Sequence, residues 1–218
     1  MDPASLSQVM RLLKKDCKKW PTPVVVSMGN EGARPFQVLV GALISSRTKD
    51  AVTELAVTRL LQQAHDPRQL RSCSQKKVEK LIYPVAFYKI KSKVLHELCV
   101  DLIERFGGVV PDTLEELLSL TGVGRKTANL TLTHGFGKLG ICVDAHVHRI
   151  CNRWGYVQTK TPDATEMVLR ETLPKRFWKS LNEILVAFGQ NLCRPVSPHC
   201  SQCSIAHHCP KVGVQQSR

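Results

Sequence analysis

The run Leu120-Thr-Gly-Val-Gly-Arg-Lys-Thr-Ala-Asn129 constrains this 218-residue chain more than any other. A helical pattern ends at Leu120, Gly122 and Gly124 turn the chain, and a second helical pattern starts at Arg125. Two helix ends joined so tightly leave backbone amides unpaired, and such amides hold anions such as phosphate. Glycine suits both places because a side chain would obstruct positive φ and the close approach of a phosphate oxygen. Lys126 falls in the first turn of the second helix, next to whatever the hairpin holds. By itself Gly-Val-Gly is equally compatible with an ordinary helix-helix turn carrying a solvated lysine.

The rest of the chain reads as one helix after another. Leu6, Val9, Met10, Leu12 and Leu13 recur at helical spacing over residues 5 to 20, and Pro21 and Pro23 end the pattern. Residues 24 to 34 read as irregular. From Pro35 to Ser45 the chain is apolar almost all round, which fits a buried helix about three turns long. Further stripes follow at Val52 to Leu61, Ser74 to Ile82 and Leu95 to Phe106, with a polar break over Ser45 to Asp50. Thr113 and Glu116 form a capping box that opens the helix leading to the hairpin. Asp144 opens a helix through Arg153, Thr161-Pro162 opens another, and a last one is expected from about Pro174 to Phe188. No alternating strand pattern, repeat or low-complexity segment is found. The expected fold class is all-α.

A net charge of +13 calls for an anionic partner, with nucleic acid the first choice. No stretch approaches the roughly 20 apolar residues needed to cross a bilayer, so no membrane role is expected. The start, Met-Asp-Pro-Ala-Ser-Leu-Ser, lacks the basic and apolar regions of a signal peptide, and an intracellular protein is expected. Nine cysteines are an odd number for a disulfide framework. Cys17, Cys73, Cys99, Cys142 and Cys151 are scattered and read as reduced packing residues.

The other four, Cys193, Cys200, Cys203 and Cys209, form C-x6-C-x2-C-x5-C within one proline-rich loop. Structural zinc prefers two short ligand pairs separated by a longer span. Four thiolates in a single loop suit a [4Fe-4S] cluster. Zinc held by three cysteines and His199, His207 or His208 is the alternative. Arg194 lies inside the first turn of this loop, where it meets either a phosphate or only solvent.

Taken in order, the hairpin run, Val-Asp-Ala-His-Val-His-Arg-Ile-Cys-Asn-Arg at 143 to 153 and the cysteine loop make the chain resemble the endonuclease III family of helix-hairpin-helix DNA glycosylases. The landmarks run from about Phe36 to Cys209. The resemblance implies a six-helix barrel domain at 25 to 138, with the helix-hairpin-helix at about 113 to 136. It implies a second, iron-sulfur cluster domain made of 1 to 24 and 139 to 218, with the active site in the cleft between the two. It also implies a monomer acting on double-stranded DNA that carries damaged bases or abasic sites, in the cytoplasm or nucleoid, or in the nucleus or mitochondrion of a eukaryote.

By the same resemblance Lys126 is the amine that attacks C1′, releases the base and forms a Schiff base from which the 3′ phosphate is eliminated. Asp144 is the carboxylate that stabilises positive charge on the sugar, a role compatible with capping its helix. Gly122, Gly124 and Arg125 would anchor a phosphate of the damaged strand. Arg47 and Phe87 would fill the gap left by a flipped nucleotide, core packing being the other reading of Phe87. Ser45 and His146 match positions lining the cleft. Arg47 departs from the family's usual glutamine and resembles the thymine-mismatch branch of the superfamily. The leading expectation is a bifunctional glycosylase and abasic-site lyase for oxidised pyrimidines. The alternatives are a uracil or thymine mismatch glycosylase, a non-catalytic DNA-binding scaffold and, from the cysteines alone, an electron carrier.

Overall fold

The structure, a computed structural model, describes residues 3–218. Met1 and Asp2, which begin the stretch read as lacking a signal peptide, lie outside the described residues. In chain order the helices are α1 (Pro3–Cys17), α2 (Val24–Asn30), α3 (Pro35–Ser45), α4 (Asp50–Gln63), α5 (Pro67–Ser72) and α6 (Gln75–Ile82). They continue with α7 (Tyr88–Phe106), α8 (Leu114–Leu118), α9 (Arg125–Leu130), α10 (Ala145–Arg153), α11 (Pro162–Thr172) and α12 (Trp178–Asn191). The described residues contain no strand, so the all-α expectation holds. No helix among them is long and apolar enough to cross a membrane.

The chain divides into two compact units. One runs from Val24 to Gly140, and the other joins Met1–Pro23 to Ile141–Arg218. In the Val24–Gly140 unit, α3 is the central element. Val38, Leu39, Val40 and Ile44 are fully inaccessible there, because every face of the helix meets another element. Burial of such side chains contributes about 1.5–3 kcal/mol each. α4, α6, α7 and α9 supply Leu60, Val78, Leu98 and Ala128 to the same core. In the other unit, the apolar stripe of α1 (Leu6, Val9, Leu13) shares a core with Val147 and Ile150 of α10, Leu169 of α11 and Leu185 and Phe188 of α12.

Three local expectations are corrected. Residues 24 to 30 form α2 instead of irregular chain, because burial of Val25 and Val26 outweighs the weak helix propensity of valine. The last helix starts at Trp178; Lys175–Phe177 forms a 3₁₀ turn after the extended Pro174. Beyond α9 the helix widens into a π-type turn over Thr131–Gly135. There Thr131 and Thr133 donate their hydroxyls to the carbonyls of Thr127 and Asn129, at 2.9 and 2.8 Å. Such back-bonding loosens the regular ladder. Of the five scattered cysteines, Cys99, Cys142 and Cys151 are buried, and no disulfide forms among the described residues, as read from their scatter. Burial pushes the Cys99 and Cys151 thiols up to about 12, which suits inert packing residues.

Candidate active site and cysteine loop

Thr113 caps α8 by accepting from the Glu116 amide at 3.3 Å, and its hydroxyl donates to the Glu116 carboxylate at 2.6 Å. The turn after α8 is pinned by the Thr121 amide, which donates to Asp101 at 2.7 Å. The two glycines of this turn serve different ends. Gly122 has φ +75°, and a Cβ there would collide with Val94. Gly124 caps α9 with φ −91° and ψ 175°, and a Cβ on it would meet nothing within 4 Å. The expectation that both need positive φ is therefore corrected: Gly122 is required by the fold, whereas Gly124 leaves open space in front of the α9 amides. Gly122→Ala should lower the thermal midpoint by several degrees, since it adds both strain and a clash. Gly124→Ala should leave that midpoint within about 1 °C while weakening duplex binding, which paired melting and titration measurements would read.

Lys126 is the second residue of α9, half-buried at the point where the turn becomes helix. Its charge is felt by Lys91 of α7. Burial, and then this neighbouring cation, push the Lys91 ammonium down to about 8. The Lys91 amine donates to the Ile44 and Ser46 carbonyls at 2.8 and 2.6 Å and to Thr48 Oγ1 at 3.2 Å. Between about pH 8 and 10.5 the unfolded chain keeps a proton that the folded chain has lost, so stability rises with pH. The stability of the protein relative to a Lys91→Met variant should increase from pH 7.5 to 9.5, as measured by denaturant unfolding at both.

Asp144 caps α10, and one oxygen, Oδ1, accepts from the amides of His146 and Val147 at 2.8 and 2.9 Å. These two bonds fix the orientation of the carboxylate. His146 packs on Gly189, where a Cβ would lie 2.5 Å from its Nδ1, and that nitrogen is 3.1 Å from Arg149 Nη2. Ser45, at the end of α3, donates its hydroxyl to the Ala42 carbonyl at 2.8 Å.

Arg47 and Phe87 come together within the Val24–Gly140 unit. The Arg47 guanidinium carbon lies 5.8 Å from the centre of the Phe87 ring. Phe87 is 55% exposed, so the core-packing reading of this residue is set aside. Both residues hold left-handed backbone angles, at φ 55° and 58°.

Cys193, Cys200, Cys203 and Cys209 line one cavity with Trp154, Phe188 and Ile205. Burial, and then negative charge on the other three, push the Cys203 thiol up to about 11. A cationic group bound there would be needed to draw the protons off these thiols. Among the described residues no three His, Cys, Asp or Glu side chains are arranged to hold a metal ion, the four loop cysteines included. Four cysteines lining one apolar cavity are a donor set that fits an iron-sulfur cluster, and zinc as well.

Sequence reasoning missed the two arginines behind this loop. Arg153, only 9% exposed, donates to Cys193 Sγ at 3.3 Å and to the Arg194 and Pro195 carbonyls at 2.7 Å each. Arg149 donates to the Gly189 and Cys193 carbonyls at 3.2 and 2.8 Å. The Arg194 side chain is exposed, and its backbone serves the loop through Arg153.

Residues 40–175 match the HhH-GPD superfamily of base excision DNA repair proteins. An endonuclease III of Thermotoga maritima is 43% identical over 175 residues, covering 80% of this chain and 82% of the relative. The chain belongs to the endonuclease III family. A chloroplastic endonuclease III homolog of Arabidopsis thaliana is 44% identical over 81% of this chain, which spans 48% of that longer protein. The structure of a non-covalent endonuclease III-DNA complex superimposes with a TM-score of 0.86 at 27% identity, covering 97% of this chain and 96% of the other. As a member of this family the chain is a base excision repair enzyme with DNA glycosylase and abasic-site lyase activity.

Proposed function

We propose that this chain removes oxidised pyrimidines from duplex DNA and nicks the strand, with Lys126 as nucleophile and Asp144 as the stabilising carboxylate. The observation that carries the reading is the place of Lys126, half-buried directly behind the open Gly124 turn. After giving up its proton, the Lys126 amine forms a bond to C1′ as the glycosidic bond breaks, and the base leaves with that electron pair. Opening of the sugar ring gives a protonated Schiff base. Loss of a 2′ proton then expels the 3′ phosphate by β-elimination, and hydrolysis returns the lysine. The Asp144 carboxylate, oriented by its two amide bonds, offsets the positive charge that develops on the sugar. Gly122, Gly124 and Arg125 hold a backbone phosphate, and Arg47 and Phe87 occupy the space of the everted nucleotide.

Cys193, Cys200, Cys203 and Cys209 would hold a [4Fe-4S] cluster, whose contribution there is to cross-link a loop with little core of its own. Arg153 and Arg149 orient that loop from behind. The enzyme works as a monomer inside the cell.

A second reading, excision of uracil or thymine opposite guanine, is favoured by Arg47 standing where the family usually has glutamine. Single-turnover base release from duplexes carrying thymine glycol, a guanine-thymine pair or a guanine-uracil pair separates the two. The first reading expects release from thymine glycol at least tenfold faster than from either mismatch; the reverse order would overturn it. A visible iron-sulfur absorption band that disappears in Cys203→Ser tests the cluster.

A further inference from the structure

Four non-glycine residues among those described hold left-handed backbone angles, and two of them, Arg47 and Phe87, are stacked on each other. Such angles persist only where the surroundings over-determine them, and they concentrate at functional positions. The two residues come from segments forty positions apart, the turn after α3 and the entry to α7. What joins these segments is a compact set of hydrogen bonds.

Lys91 stands at its centre. Its backbone amide donates to the Phe87 carbonyl at 2.9 Å, fixing the first turn of α7. Its side chain reaches back to the Ile44 and Ser46 carbonyls and to Thr48 Oγ1, which flank Arg47 on both sides. Thr48 Oγ1 completes the set by accepting from the Ala86 amide at 3.3 Å and donating to Ser46 O at 3.2 Å. The carbonyls that Lys91 engages are those left over where α3 ends, the end of a helix that favours a cation. One residue thus holds Phe87 through its backbone and the Arg47 turn through its side chain.

We propose that Lys91 is a positioning residue that fixes Arg47 and Phe87 as a single pre-stacked wedge, so that the pair enters the base stack already ordered. This rests on the reading of Arg47 and Phe87 as the residues that fill the gap left by a flipped nucleotide. Pre-ordering removes the entropy cost of immobilising two long side chains at the moment of binding. A loosened wedge should therefore weaken productive engagement of a lesion in a duplex.

The test uses the full-length protein and a duplex with a non-cleavable abasic analogue beside 2-aminopurine, whose emission changes when its stacking is broken. Lys91→Met and Phe87→Ala should each reduce the emission change at saturation by at least threefold. The double variant should be no weaker than Phe87→Ala alone, because both act through one wedge. Lys91→Arg, which keeps the charge and the donors, should restore at least half of the signal, and KM for a thymine glycol duplex should rise more than kcat falls. A full emission change in Lys91→Met, or a loss that multiplies in full with that of Phe87→Ala, would overturn the proposal. Should Lys91→Met fail to fold, Thr48→Val removes the shared hydroxyl and carries the same expectations. Unchanged signals in both Arg47→Ala and Phe87→Ala would instead strike down the gap-filling reading itself.

Discussion

Lys126→Gln should abolish strand cleavage at a thymine glycol or abasic site, with single-turnover rates falling by on the order of 10⁴-fold or more, the scale on which loss of a covalent nucleophile acts. Glutamine keeps most of the side-chain volume and removes the attacking amine. Lys126 lies at the second position of α9 and none of its side chain forms part of the core, so the variant should melt close to the parent protein. Its affinity for duplex DNA should fall by less than about tenfold, as expected for the loss of one charge near a phosphate. Cleavage by the variant at more than a hundredth of the parent rate would assign the chemistry to another group.

Arg153→Met should cost the fold about 2–6 kcal/mol, at roughly 1–3 kcal/mol for each of the two carbonyls it strands. The guanidinium satisfies two carbonyls of the cysteine loop and touches the first cysteine sulfur, and it is almost wholly enclosed. Methionine fills part of the volume but leaves the Arg194 and Pro195 carbonyls without their donor. For a chain of this size the thermal midpoint should drop by roughly 10 °C, with the loss centred on the unit that contains the loop. The neighbouring Arg194, exposed at its side chain, provides the contrast: Arg194→Ala should stay within about 0.5 kcal/mol of the parent. Calorimetry on both variants would read the difference, and equal destabilisation would contradict the assignment of Arg153 as the residue that braces the loop.

The sequence was most legible where one signal dominated. α3 is apolar on every face, so its burial could be read without any partner in view. The Gly-Val-Gly turn and the cysteine spacing stand out because glycine and cysteine do there what no other residues do. α2 was hidden because valines, glycines and prolines each argue locally against a helix, and only packing reverses the balance. The widening of the helix beyond α9 depends on buried threonine hydroxyls that bond to the preceding turn, which no periodicity reveals.

Charged residues were the least legible part of the site. Lys91 lies on a helix whose neighbouring lysines, Lys89 and Lys93, are exposed, and composition gives no sign that it, Arg149 and Arg153 turn inward to carbonyl oxygens. The different duties of Gly122 and Gly124 were equally hidden, since the difference lies in what stands opposite each Cα. Asp144 caps α10 as its position suggested, and the same two bonds fix the orientation of its carboxylate.

The most direct test of the mechanism is borohydride trapping of the parent protein on a thymine glycol duplex, followed by peptide mapping of the covalent adduct by mass spectrometry. The account predicts one adduct, on the peptide that contains Lys126, with the reduced sugar attached to its side-chain nitrogen. An adduct on any other lysine or at the N-terminus, or base release with no trappable adduct, would contradict it.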